Sequence, residues 1–216
     1  MTAATADILA ILDSHDPRLE APAVGAALAP VQEEPRVAAL IDAARTGDRE
    51  AFGELVLMHE RVVFRTALTA LGSREDAEDA AQDAFVVAWQ KLAGFRGHST
   101  FRTWLLTIVW RKALDRRRSR LLWWRRTQTP RADDLHEPLD DLVADTPTPE
   151  EHAVGRALAE RIRQAIAALS PKLKDTFLLA LTGEHTYDEI ATMLRVPLGT
   201  VKWRVSEARR VIHGQI

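Results

Sequence analysis

Residues 75–118, EDAEDAAQDAFVVAWQKLAGFRGHSTFRTWLLTIVWRKALDRRR, constrain this chain more than any other stretch. Two helical patterns of opposite chemistry meet there at a short polar loop. The first opens on Glu75, Asp76, Glu78, Asp79 and Asp83, then carries Phe85, Ala88, Trp89 and Leu92 at spacings of three and four, which predicts an acidic helix with an aromatic stripe. The second follows Ser99 and Thr100, both good N-caps, and places Phe101, Trp104, Leu105 and Ile108 on one face. It ends in Arg111, Lys112, Arg116, Arg117, Arg118 and Arg120, a basic helix. RLLWWRR at 120–126 continues it, and Trp123 and Trp124 suit either packing or stacking on bases, with packing the simpler expectation.

The rest of the chain is also helical in pattern, with no period-two alternation that would predict a sheet. Val37, Leu40, Ile41 and Ala44 make a short helix that stops at Gly47, and a longer one carries Phe52, Leu55, Val56, His59, Val62, Val63, Leu68 and Leu71 to Gly72. Ser73 then caps the acidic helix, with Asp76 three residues on in the manner of a capping box. These helices and the basic one predict a compact bundle. Beyond it, PRADDLHEPLDDLVADTPTPEE at 130–151 is proline-spaced, acidic and too poor in apolar residues to fold alone, which predicts a linker. A second helical set follows: Val154, Leu158, Ile162 and Ile166 on one helix, then Ser170-Pro171 opening another with Phe177, Leu178 and Leu181 as its core face. Thr186 caps a short helix to Leu194, Arg195 to Gly199 form a turn, and a last helix runs from about Thr200 to Ile212. That is the layout of a helix-turn-helix, with Ile190, Ala191, Leu194, Val201, Val205, Ala208 and Val211 inward. Thr200, Lys202, Trp203, Arg204, Ser206, Glu207, Arg209 and Arg210 are left outside. Residues 1–36, with one short apolar cluster and four prolines, read as a flexible extension, either an inert tail or a docking or autoinhibitory arm.

The formal net charge of -2 conceals a segregation of charge. Residues 1–36 hold 2 basic and 6 acidic side chains, and residues 130–160 hold 2 and 9. The blocks between and after are reversed, with 16 basic and 11 acidic side chains over 37–129 and 9 and 5 over 161–216. Basic blocks that contain DNA-reading motifs are plausible footprints for a duplex with its dense line of phosphates. There is no cysteine, and the seven histidines lack ligand spacing, so neither a disulfide nor a metal site is expected. No apolar run is long enough to cross a bilayer and the N-terminus lacks a basic leader, so no membrane insertion and a cytoplasmic location are expected. Nothing resembles a phosphate-cradling loop or an activated nucleophile, so neither an enzyme nor a cofactor is expected.

DAEDAAQDAFVVAWQKL, then FRGHSTFRTWL, then the basic helix with Asp115 and Arg118, resembles region 2 of the extracytoplasmic-function (ECF) sigma factors, the small sigma-70-type initiation subunits of bacterial RNA polymerase. LSPKLKDTFLLALTGEHTYDEIATMLRVPLGTVKWRVSEARRVI at 169–212 resembles region 4, including the turn PLGTVKWR. The resemblance implies an all-α chain of two small helical domains, the first at 37–126 and the second, with the helix-turn-helix, at 152–216, joined by the linker at 127–151. It implies a sigma factor that binds core RNA polymerase and promoter DNA and is held inactive by an anti-sigma factor.

Carried onto this sequence, the resemblance assigns the minus 35 element to the last helix, with Thr200, Lys202, Trp203, Arg204, Glu207, Arg209 and Arg210. Trp203 stands where a small residue is common and Glu207 where a basic or polar one is. A carboxylate in the groove accepts a hydrogen bond from cytosine N4, so Glu207 is expected to read a cytosine. The loop with Phe95, Arg96, Gly97, His98 and Ser99, and Phe101 beside it, is expected to capture a flipped base of the minus 10 element. Arg111, Lys112, Arg116, Arg117 and Arg118 would hold adjacent phosphates, with Arg111 replacing a common Asn. Asp79, Gln82, Asp83, Phe85 and Trp89 fall on the segment that docks on the largest polymerase subunit, where carboxylates around an aromatic anchor suit a basic, partly apolar partner. A sigma-like decoy that binds an anti-sigma factor without using DNA is the alternative, disfavoured by the basic residues in both DNA-reading segments. A dimeric helix-turn-helix repressor leaves the acidic helix unexplained.

Overall fold

The computed structural model describes residues 33–127 and 151–216, which fall in two compact units. The expectations for residues 1–32, for the linker at 128–150 and for the side chains of Trp124 and Val154 lie outside the described residues. All regular structure among the described residues is helical.

The first unit contains α1 (Pro35–Arg45), α2 (Arg49–Leu71), α3 (Arg74–Lys91), a 3-10 turn at Leu92–Gly94, and α4 (Phe101–Thr127). The boundaries follow local chemistry. Pro35 opens α1, so the folded unit starts before residue 37, and Arg36 pairs with Glu54 of α2 at 3.0 Å. Asp48 Oδ1 accepts from the backbone N–H of Glu50 and Ala51, and Gly72, at φ 72°, ends α2 with its N–H on Leu68 O. Ser73 Oγ accepts from Asp76 N as the cap of α3. The carboxylate of Asp76, expected to complete a capping box, turns instead to two arginines of α4.

Helix α3 lays an alanine seam into the core, Ala77, Ala80, Ala81, Ala84 and Ala88. Small side chains let it approach closely Leu55, Val63 and Leu71 of α2 and Leu105, Leu106, Val109 and Trp110 of α4, all buried. Phe85 and Trp89 are thereby left half-buried on its shoulders, with Trp89 5.0 Å from the Phe52 ring. Of the stripe expected from the sequence, Ala88 and Leu92 are buried, and the other alanines complete the inward face.

The second unit contains α5 (Glu151–Ala167), α6 (Pro171–Leu181), α7 (Tyr187–Leu194) and α8 (Leu198–His213). Its core joins Ile162, Ile166 and Leu169 to Phe177, Leu178 and Leu181 and to Ala208 and Ile212. Thr186 and Glu189 form a complete capping box on α7. At the other end of α7, Arg195 adopts the left-handed conformation, φ 55°. Its N–H donates to Thr192 O and that of Val196 to Ala191 O, which satisfies the last carbonyls as the chain turns. Helix α8 then begins at Leu198, two residues before its expected start, because Pro197 O already accepts from Thr200 N and Val201 N. Ile212 is the fully buried residue of its last turn and Val211 is half-buried.

Candidate nucleic-acid interface

The expected minus 35 residues divide three ways on α8. Trp203 and Arg210 stand exposed, and Thr200, Lys202, Arg204 and Glu207 lie half-buried along the margins. Arg209 corrects the sequence reading: it is only 8 % exposed. It lies four residues after buried Val205 and beside buried Ala208, so the helical repeat carries it to the core side. Arg204 leans toward α6, with Nη1 3.5 Å from Thr176 Oγ1. Glu207 and Arg210 form a two-point pair, Nε to Oε2 at 2.8 Å and Nη2 to Oε1 at 2.6 Å. The hydrogen bond from Arg210 holds the Glu207 carboxyl below its usual range, so it stays an acceptor. Held from one side, the carboxylate keeps lone pairs for another donor.

The loop between the 3-10 turn and α4 is built on buried aromatic rings. Phe95 and Phe101 meet edge to face, 6.0 Å between centroids at 88°, and Trp104 lies 5.2 Å from Phe95 and 5.7 Å from Phe101. Phe101 is 1 % exposed and Phe95 is also buried, so both correct the expectation of rings that enclose a base directly. They are the floor that fixes the loop, and Arg96, Gly97, His98 and Ser99 form its accessible rim. Gly97, at φ 68°, makes the bend that a β-carbon would strain. Thr100 Oγ1 accepts from Thr103 N, and the Glu33 carboxylate accepts from Phe101 N, so both cap the start of α4. Beneath the floor, His59 meets Phe101 edge to face at 5.4 Å and its Nδ1 lies 2.8 Å from Leu55 O. Burial pushes the His59 pKa below 6.5, so the ring is neutral and Nδ1–H is the donor.

Farther along α4, Arg111 and Arg118 are exposed, and Lys112 and Arg117 are half-buried. Arg118 lies 3.4 Å from Asp115 one turn away. Arg116 departs from the expected phosphate contact: it reaches Asp79 at 2.6 Å, Asp76 at 3.4 Å and Asp83 at 3.9 Å across the α3–α4 boundary. Arg120 joins the cluster through Asp76 at 2.8 Å. The carboxylates assigned to the polymerase surface and an arginine assigned to DNA therefore meet in one network. Sequence reasoning missed it, although acidic residues at 76, 79 and 83 and arginines at 116 and 120 are the spacings of two facing helix stripes. Glu33 was also missed, since it lies in the segment read as an extension. Gln82 is exposed beside the network.

A helical bundle with a basic helix and a buried-floor loop, followed by a unit with a helix-turn-helix, is the layout of a two-unit, all-helical protein. The chain matches the models of sigma-70 region 2 over residues 55–122 and sigma-70 region 4 over residues 159–212. It is 31 % identical over 183 residues to the ECF RNA polymerase sigma-E factor of Haemophilus influenzae, covering 82 % of this chain and 94 % of that one. It is 29 % identical over 173 residues to the ECF sigma factor SigW of Bacillus subtilis, covering 80 % and 92 %. The fold is similar to CnrH, solved with the cytosolic domain of CnrY, at TM-score 0.58 and 23 % identity over 83 % of this chain and 96 % of that one. It is also similar to RpoE solved with the anti-sigma factor NepR from Bartonella quintana, at TM-score 0.56 and 21 % identity over 76 % and 95 %. The chain belongs to the ECF group of the sigma-70 family, the RNA polymerase factors of transcription initiation.

Proposed function

We propose that this chain binds core RNA polymerase through α3 and directs it to promoters by reading a minus 35 element with α8 and a minus 10 element with the loop at 95–100. The observation that carries this reading is the coexistence of two separately folded units, each presenting basic side chains on a helix of groove-binding size, with an acidic, aromatic-shouldered α3 in the first. In α8, Glu207 accepts from cytosine N4 while Arg210 orients it and Lys202 and Arg204 lie toward phosphates. In the loop, Arg96, His98 and Ser99 hydrogen-bond an unstacked base, and Arg111, Lys112, Arg117 and Arg118 hold the strand. Melting is then driven by binding of the exposed base, with no hydrolysis and no enzymatic step. The domains follow as residues 35–127 for core and minus 10 binding and 151–216 for minus 35 binding, with the segment between them as linker.

No helix among the described residues is long and apolar enough to cross a membrane, and the chain acts in the cytoplasm, where polymerase and promoters are. RpoE, the similar structure solved with an anti-sigma factor, supports an anti-sigma partner here. The test is transcription by core polymerase from fragmented genomic DNA, with and without the chain, mapping start sites. Discrete new starts that share two upstream elements are expected; tight core binding with no new starts would refute promoter recognition.

A further inference from the structure

The outer stripe of α8 is almost bare around one large side chain. Gly199, Trp203, Ser206, Arg210 and His213 recur at spacings of four and three and all are exposed. Trp203 is 62 % exposed, with glycine one turn before it and serine one turn after. The fold does not require Gly199. Its backbone lies outside the left-handed region, and a β-carbon there would meet nothing within 4 Å. A glycine inside a helix is unfavourable relative to alanine, and close approach of a ligand to the backbone is one use that offsets it. Lys202 and Arg204 flank Trp203 along the chain and lie on the stripe's half-buried margins, which puts cationic side chains on both sides of the indole.

A helix in the major groove presents the middle of its outward stripe to base edges and its margins to phosphates. An indole in that position gains little from phosphate. What it can bury is apolar, and the apolar group on the major-groove edges of the base pairs is the thymine C5-methyl. We propose that Trp203 is a thymine reader, its ring packed on the C5-methyl of a thymine in the minus 35 element, beside the base met by Glu207 one turn farther on. The bare turn at Gly199 lets the helix come close enough for that contact. This inference rests on the reading of α8 as the minus 35 helix.

The test uses holoenzyme assembled from core polymerase and the full chain, either wild type or Trp203→Ser, to select from a library randomised over the minus 35 element. Each thymine of the winning promoter is then replaced by deoxyuridine, which keeps the pairing and loses the methyl. One thymine is expected whose replacement weakens wild-type binding about fourfold, the effect of one buried methyl group, and leaves the Trp203→Ser holoenzyme unaffected. The variant should also lose its preference for thymine at that position alone. An equal cost of deoxyuridine in both proteins would overturn the assignment. So would unchanged base preferences with weakened core binding, which would place Trp203 on a protein partner. Failure of the wild-type holoenzyme to select any minus 35 element would overturn the reading of α8 itself, whereas selection indifferent to Trp203 would overturn only the thymine contact.

Discussion

The two units arrange their charges in opposite ways. In the first, Arg116 and Arg120 of α4 are tied across helices to Asp76, Asp79 and Asp83 of α3, residues 33 or more positions away in the chain. In the second, Glu207 and Arg210 pair within a single turn and Trp203 stands clear. A local pair leaves the reading face of α8 already formed. A cross-helix network couples the carboxylates proposed for polymerase to an arginine on the basic helix, so a partner that engages the carboxylates would free that arginine. Under the function proposed above, the first unit would bind its two ligands in sequence, whereas the second presents its reading face from the start.

Substitutions at the aromatic residues test that contrast most severely. Phe101→Ala removes a fully buried ring and is expected to destabilise the first unit by about 3–5 kcal/mol in denaturant unfolding, whereas Trp203→Ala at the exposed stripe should cost less than about 0.5 kcal/mol. Phe101→Leu, which keeps the site apolar and partly filled, should retain minus 10 binding; a large loss in a stable Phe101→Leu protein would restore that ring to direct base contact. Reversal of charge comes next. Asp83→Arg brings a cation beside Arg116 and against a basic partner, and core polymerase affinity should fall by about tenfold or more. Unchanged affinity would remove α3 from the docking surface.

Titration gives smaller effects. His59 has a folded pKa below 6.5, with burial first among the causes, Arg102 acting in the same direction and the Leu55 carbonyl and Glu33 opposing. Below pH 6.5 the unfolded chain binds the proton that the folded chain refuses, so stability should fall with pH from there down to the folded pKa and then level. His59→Leu should flatten that limb of the stability profile, and an unaltered slope would contradict it. Smallest is the Glu207 titration. A carboxyl with a depressed folded pKa contributes above its unfolded value and loses that contribution as pH falls through the folded value. The cytosine preference should thus persist to lower pH in wild type than in Arg210→Ala, measured by selection at stepped pH.

Much of the architecture was legible because it rests on local rules. Ser73, Thr186, Pro171 and Gly72 each mark a helix end by chemistry visible in a few residues. What was not legible depended on which of several apolar rows wins the core. Phe85 and Trp89 lost to an alanine seam because close helix approach favours small residues, and one-residue drifts of the helical repeat turned Arg209 inward and exchanged Val211 for Ile212. Phe95 and Phe101, expected with the base-capturing loop, lie in the core because burial of a loop aromatic depends on the helices beneath it. The Arg116 network joins residues far apart in sequence, so it needed the pairing of α3 with α4 to appear.

The most direct measurement of the contrast between the units is affinity for a single-stranded minus 10 oligonucleotide, compared between the wild-type full chain and Asp79→Asn, each free and in holoenzyme. Partly exposed ion pairs are worth up to about 1 kcal/mol, so removing the shortest of the three carboxylate contacts of Arg116 should tighten binding by the free variant by no more than about fivefold. The difference should vanish in holoenzyme, where polymerase occupies the carboxylates. Free Asp79→Asn binding the strand no better than wild type would contradict the account, since Arg116 would then be held for structure alone.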